Sequence, residues 1–71
     1  MTEADLVRMA NQIADFNRAY PPDEAVAGVE THIRQFWDPR MRATMASHLA
    51  AGGAGLSELA RDGAIRACAP A

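Results

Sequence analysis

The sequence has little cysteine, no lysine and no long apolar segment. Cys68 is the only cysteine, so no intrachain disulfide can form and no Cys-rich zinc pattern is present. No apolar run approaches the roughly 18 residues that a membrane-spanning helix needs. The N-terminal residues 2–5 are largely acidic, unlike the basic start of a signal peptide. These features predict a soluble cytoplasmic protein without a membrane partner.

The absence of lysine leaves arginine as the only basic residue, with seven copies. Arginine binds carboxylates and phosphates through two parallel hydrogen bonds and is enriched at protein interfaces. The 16 alanines support a different interpretation, in which the arginines reflect a compositional bias. The net charge of −2 and the pI near 5.5 argue against nucleic acid as the default partner.

The apolar residues recur at helical spacing in three stretches, and no stretch alternates as a strand would. The sequence therefore predicts an all-α fold, a small bundle of three main helices and a weaker fourth, in one domain spanning residues 1–71 with residues 68–71 frayed. The predicted bounds are 3–19, 23–37 and 39–51, and 58 to about 67 for the fourth helix. Thr2 suits the N-cap of the first helix, with Asp5 three residues on in a variant of the capping box. At 71 residues the core is small, because a chain of this size buries only about 60% of its unfolded surface.

The predicted core follows the apolar stripes. On the first helix the stripe comprises Leu6, Met9, Ala10, Ile13, Phe16 and Tyr20. On the second helix it comprises Val26, Val29, Ile33, Phe36 and Trp37. Asn11 is placed on the solvated side of the first helix. The fourth helix offers mainly small residues, Ala60, Gly63, Ala64 and Ala67, that suit close packing on another helix.

The stretch from Phe36 to Met41 combines the only tryptophan with the clearest break between helices. Pro39 suits the first position of a new helix, and Asp38 suits its N-cap. Two interpretations are open for this corner: it packs in the core, or part of it is exposed as a docking surface, since Trp, Phe, Met and Arg are typical of interfaces. The residues predicted for a partner interface are Phe36, Trp37, Arg40, Met41 and Arg42.

No spacing in the chain is typical of a catalytic, cofactor-binding or metal-binding set. His32 and His48 lie on different predicted helices without paired ligand spacing. The glycine-rich residues 52–55 do not form a phosphate-binding motif, because no strand precedes them and no lysine follows. We therefore predict no catalytic, cofactor-binding or metal-binding residues.

Three segments, in this order, resemble the delta subunit of soluble NAD-dependent formate dehydrogenases. They are Asn11-Gln12-Ile13-Ala14 with Phe16, His32-Ile33 with Phe36-Trp37-Asp38-Pro39-Arg40-Met41-Arg42, and Gly52-Gly53 with Gly55-Leu56. The resemblance covers roughly residues 5–60 and is most specific in the F-W-D-P-R-M core.

The resemblance implies a non-catalytic accessory subunit of a cytoplasmic molybdenum or tungsten enzyme, with the large catalytic alpha subunit as its partner. It places the bis-molybdopterin guanine dinucleotide, iron–sulfur clusters, FMN and NAD in other subunits, and no cofactor in this chain. The expected role is assembly, stability or cofactor retention. The alternative hypothesis is a free-standing helical regulator that binds nucleotide or nucleic acid through arginine side chains.

Overall fold

The computed structural model describes residues 1–68, which form four α-helices and, over that range, no strand. The helices are α1 (Glu3–Asn17), α2 (Pro22–Phe36), α3 (Pro39–Ala50) and α4 (Glu58–Cys68). The predicted all-α class is confirmed. Of the residues expected to fray, Cys68 lies in α4 and is buried, and residues 69–71 lie outside the described part of the chain.

Side-chain caps fix where two of the helices begin. The Thr2 hydroxyl accepts a hydrogen bond from the Asp5 amide at 3.2 Å, and the Asp5 carboxylate accepts one from the Thr2 amide at 3.0 Å. The hydrogen bond from the Thr2 backbone, with that from its side chain, lowers the pKa of Asp5. At α3, the Asp38 carboxylate accepts from the Met41 amide at 2.9 Å, with Pro39 at the first helical position. Both caps were predicted from the sequence.

Proline chemistry explains why the helix bounds differ from the predicted ones. Helix α1 ends at Asn17, two residues early, and the Tyr20 amide closes a turn onto the Asn17 carbonyl. The tandem prolines Pro21 and Pro22 cannot continue a helix, and Pro21 disfavours the helical conformation of Tyr20. Pro22 instead starts α2, one residue early, because its fixed φ suits the first helical position. Trp37 is extended, so α2 ends at Phe36.

Helix α4, the weakest from its sequence pattern, contacts all three other helices and packs most extensively on α2. Its small side chains are buried, and the predicted close packing is confirmed at Gly63, whose Cα faces the Val29 side chain. The Arg34 guanidinium near the end of α2 donates to the Arg66 carbonyl near the end of α4 at 2.8 Å. The two helices therefore run side by side in the same direction.

The loop between α3 and α4 is held by side chains from three helices. The glycines Gly52 and Gly53 have positive φ and end α3, with the Gly53 amide bonded to the His48 carbonyl at 2.9 Å. Asn11 was predicted to face solvent, and this is wrong. Its amide donates to the Gly55 carbonyl and its oxygen accepts from the Ser57 amide, both at 2.9 Å. The polar loop backbone gives Asn11 partners that no single-helix pattern reveals.

The core follows only part of the predicted stripe of α1. Leu6 and Ala10 are buried as predicted, together with Ala14, whereas Phe16 and Tyr20 are exposed. Met9 and Ile13 are partly buried and pack against the core. On α2 the buried residues are Ala25, Val29 and Ile33, whereas Phe36 is exposed. Because α4 presents mainly small side chains, it approaches the alanine face of α1 closely, and the larger aromatic side chains are left outside this contact.

The contact between α4 and α2 leads to a prediction on stability. A Cβ atom at Gly63 would stand 2.5 Å from the Val29 Cβ and 3.3 Å from the Glu30 amide nitrogen. Gly63→Ala should therefore destabilise the chain by about 1–3 kcal/mol, because overpacking outweighs the gain of about 1 kcal/mol in helix propensity. Urea unfolding followed by circular dichroism measures the change.

Gly28→Ala is the matched control, since Gly28 also lies inside a helix. The nearest atoms to a Cβ atom there belong to the Asn17 side-chain amide, which can rotate away at the cost of its hydrogen bond to the Ile13 carbonyl. We expect Gly28→Ala to destabilise the chain less than Gly63→Ala does, because a flexible side chain yields more readily than the Val29 side chain and the Glu30 backbone. A Gly63→Ala variant as stable as the wild type would contradict the close packing of α4 on α2.

Candidate functional site

An open groove of about 580 Å³ lies between α1, α2 and the first turn of α3. Its walls come from three separate parts of the chain. The lining residues are Met9, Gln12, Ile13, Phe16, Asn17, Tyr20, His32, Phe36, Trp37 and Met41. Pockets that bind small molecules have similar volumes.

The lining of the groove differs sharply in composition from the rest of the chain. It contains all four aromatic residues of the sequence and two of its four methionines. It contains no Asp, Glu or Arg, although charged residues make up 23% of the chain. Enrichment in aromatic residues and methionine, together with depletion of charged residues, is typical of the centre of a protein–protein interface.

The aromatic residues stand at different depths. Trp37 is only 4% exposed and forms the floor, whereas Phe16, Phe36 and Tyr20 are 87%, 69% and 58% exposed. In a pocket built for a small ligand the aromatic lining is shielded and encloses most of the ligand. Side chains this exposed instead form a rim that only a larger partner would cover.

Local structure holds the rim in place. Phe36 is the last residue of α2, and its ring packs on His32 one turn earlier, with the ring centroids 4.7 Å apart. Trp37 turns inward because the backbone becomes extended there, ahead of the Asp38 cap that starts α3. Phe16 and Tyr20 belong to the end of α1 and the turn that follows it.

One polar side chain at the groove already has a partner. The Asn17 amide donates to the Ile13 carbonyl at 2.9 Å, and its side chain lies over Gly28 of the neighbouring helix. Gly28 thus leaves room for the Asn17 side chain, which explains why a glycine lies inside α2.

The structure brings together three of the five residues predicted for an interface. Phe36, Trp37 and Met41 line the groove, with Trp37 buried in the core at the same time. Arg40 is exposed and Arg42 is half-buried, and neither lines the groove. Trp37 therefore belongs to the core and Phe36 to the exposed surface, and docking at this corner stays a prediction.

Met9, Ile13, Phe16 and Tyr20 were predicted to lie in the core. Met9 and Ile13 pack against the core and also line the groove, whereas Phe16 and Tyr20 are exposed. One signal in the sequence could have shown this, because the predicted stripe contains two adjacent lines of apolar residues, one of which runs from Leu6 through Ala10 to Ala14. Two adjacent stripes indicate a helix that meets two neighbours, of which only one needs to lie in the same chain.

Four of the seven arginines have side-chain hydrogen-bonding partners among residues 1–68. Arg8, Arg18 and Arg34 each pair with a carboxylate on their own helix, at 2.9 Å in every case. Arg61 instead donates to the Gly52 carbonyl. These four arginines therefore have structural contacts within the fold.

The remaining candidates for chemistry have structural contacts. His48 Nε2 lies 2.8 Å from the Ala54 carbonyl, and its Nδ1 lies 3.6 Å from the Glu3 carboxylate. Burial raises the pKa of the Cys68 thiol. Among the described residues there is no cluster of three His, Cys, Asp or Glu side chains that could hold a metal ion. None of their helices is long and apolar enough to span a membrane.

The fold and the groove define a small all-α protein with an uncovered aromatic surface of the kind that protein interfaces use. The comparison with protein families agrees with this class. The family model described as the NADH-dependent formate dehydrogenase delta subunit FdsD matches residues 5–64, so the chain belongs to this family. The resemblance seen in the sequence is thereby confirmed. No curated protein and no solved structure matches the chain.

The different depths of Trp37 and Phe36 lead to a prediction on the free chain. Trp37→Ala should lower the free energy of unfolding by about 3–5 kcal/mol, because it removes a large buried side chain. Phe36→Ala should change it by no more than about 0.5 kcal/mol, because the ring is mostly exposed. Thermal unfolding of both variants measures the difference, and equal losses would contradict the assignment of Trp37 to the core and Phe36 to the surface.

Proposed function

We propose that the chain is a non-catalytic accessory subunit that binds the large catalytic subunit of a cytoplasmic NAD-dependent formate dehydrogenase. Its role is to support assembly, stability or cofactor retention, and the redox cofactors are held by other subunits. Membership of the delta subunit family supports a place in such a complex. The observation that carries the proposal is the groove, because an aromatic, charge-free surface left uncovered in one subunit is suited to a second protein.

The groove also suggests how the chain would contribute to the complex. Interface energy concentrates in a few large side chains that insert into the partner, and Trp, Tyr and Arg are prominent among them. Here Phe16, Phe36 and Tyr20 surround a floor that the core residue Trp37 holds rigid. A preorganised surface loses little conformational freedom on binding, which favours affinity for its size.

Replacing the two exposed phenylalanines tests the proposal. Phe16→Ala and Phe36→Ala should each weaken binding to the large subunit by about 30-fold, the effect of removing about 2 kcal/mol of interface energy. The free variants should keep the helical circular dichroism of the wild type, because both rings are exposed. Co-purification of the tagged chain with the large subunit, followed by titration, measures the loss.

Ile65→Ala is the matched control. Ile65 is also an exposed large apolar residue, at 41%, but it lies on α4 and does not line the groove. We expect this variant to bind like the wild type. A wild-type chain that does not co-purify with the large subunit would contradict the proposed function itself.

The arginines at the start of α3 allow a second, independent test. Arg40 and Arg42 follow the groove floor in sequence, and neither forms an ion pair within residues 1–68. If they contact carboxylates of the large subunit, Arg40→Gln with Arg42→Gln should weaken binding and reduce its dependence on salt. Wild-type binding with an unchanged salt dependence in the double variant would remove both arginines from the interface.

A further inference from the structure

We infer that the part of the large catalytic subunit that fills the groove is an α-helix, which presents a stripe of apolar side chains without charge. This inference rests on the proposed function and adds the kind of partner surface that the groove accepts. Three observations carry it, namely the length of the groove, the state of its backbone groups and the absence of charge in its lining.

The length of the groove suits a helix of about two turns. Along α1 the lining runs from Met9 to Asn17, which at 1.5 Å per residue corresponds to roughly 12 Å, and Tyr20 adds to it from the turn after α1. Its opposite wall is a second helix that contributes His32 and Phe36. Two packed helices commonly bind a third helix that lies along the channel between them. The third helix then contacts them through a side chain at every third or fourth residue.

The backbone of the groove offers a partner β-strand nothing to pair with. A strand that binds by extending a sheet needs an exposed edge of unpaired amides and carbonyls, and the described residues form no strand. The walls of the groove lie mainly on α1 and α2, whose internal backbone groups are used within the helices. A helix satisfies its own backbone hydrogen bonds, so it can enter this groove with side chains alone.

The lining also restricts the side chains of the partner. No Asp, Glu or Arg lines the groove, so a charged partner side chain would lose water there without gaining a counter-ion. The facing stripe is therefore apolar.

The complete interface must be larger than the groove alone, since stable interfaces bury about 800 Å² on each partner. That area is less than a fifth of the 4429 Å² surface of the chain, and the groove would form its centre.

A shallower depression on the outer side of α2 extends the same surface. His32 and Phe36 separate the two hollows and line both of them. The partner would therefore contact both sides of the ridge formed by His32 and Phe36, with its helix in the aromatic groove. A second copy of this chain is the other possible occupant, and membership of a family of subunits favours a different chain.

Photo-crosslinking in the assembled complex tests this inference. The photoreactive residue p-benzoylphenylalanine replaces Phe16, Tyr20 or Phe36 in turn, and Ile65 as the control, and mass spectrometry maps the attached residues. We expect the three groove positions to attach to one segment of the large subunit, at residues separated by three, four or seven positions. Ile65 should not attach to that segment.

Several results would overturn the inference while leaving the proposed function intact. They are attachment sites spaced by two residues, sites scattered over separate segments, a proline inside the contacted turns, or attachment to a second copy of this chain within an intact complex. If the wild-type chain and the large subunit do not form a complex at all, the proposed function fails and the inference fails with it.

Charge substitutions give a second readout. Phe36→Glu and Phe36→Arg should both weaken binding more than Phe36→Ala does, and therefore by more than about 30-fold, because either charge would be placed against an apolar stripe. Tighter binding by either charged variant would show that the facing surface carries the opposite charge and would overturn the inference.

Discussion

The close contact between α4 and α2 determines how the rest of the structure is arranged. Gly63 brings the backbone of α4 against Val29, and a single added Cβ atom would collide there. Helix α4 also contacts α1, and its small residues belong to the same buried cluster as Ala10 and Ala14 of α1. Because these alanines form the core, the larger side chains of Phe16 and Tyr20 are left exposed. The groove is thus a consequence of how the core is packed.

The apolar residues of this small protein are thus divided between the core and the exposed groove. The buried cluster consists largely of alanine together with Leu6, Val29, Ile33, Trp37 and Met45. The other aromatic residues remain on the surface, where exposed apolar groups in a lone subunit usually mark an interaction site. A chain that buries so little of its own surface gains additional stability when a partner covers such a site.

The helices were predictable from local signals, because their caps and prolines act within a few residues. Asp38 with Pro39 and Thr2 with Asp5 indicated where helices begin, and the bounds of α2 and α3 were right to one residue. The division between core and groove was not predictable in this way. Phe16 and Ala14 lie on neighbouring faces of one helix, and only the position of α4 decides which face is buried. The contacts of Asn11 with the glycine loop likewise depend on a tertiary arrangement.

The central claim is that the aromatic groove is open in the free chain and covered in the complex. The chain has only two phenylalanines, Phe16 and Phe36, and both line the groove. Labelling with 4-fluorophenylalanine therefore gives two ¹⁹F NMR signals that report on this surface alone. We expect both signals to show solvent exposure in the free chain, and both to shift and lose that exposure when the large catalytic subunit is bound. Two signals that remain exposed and unshifted in the intact complex would contradict the account.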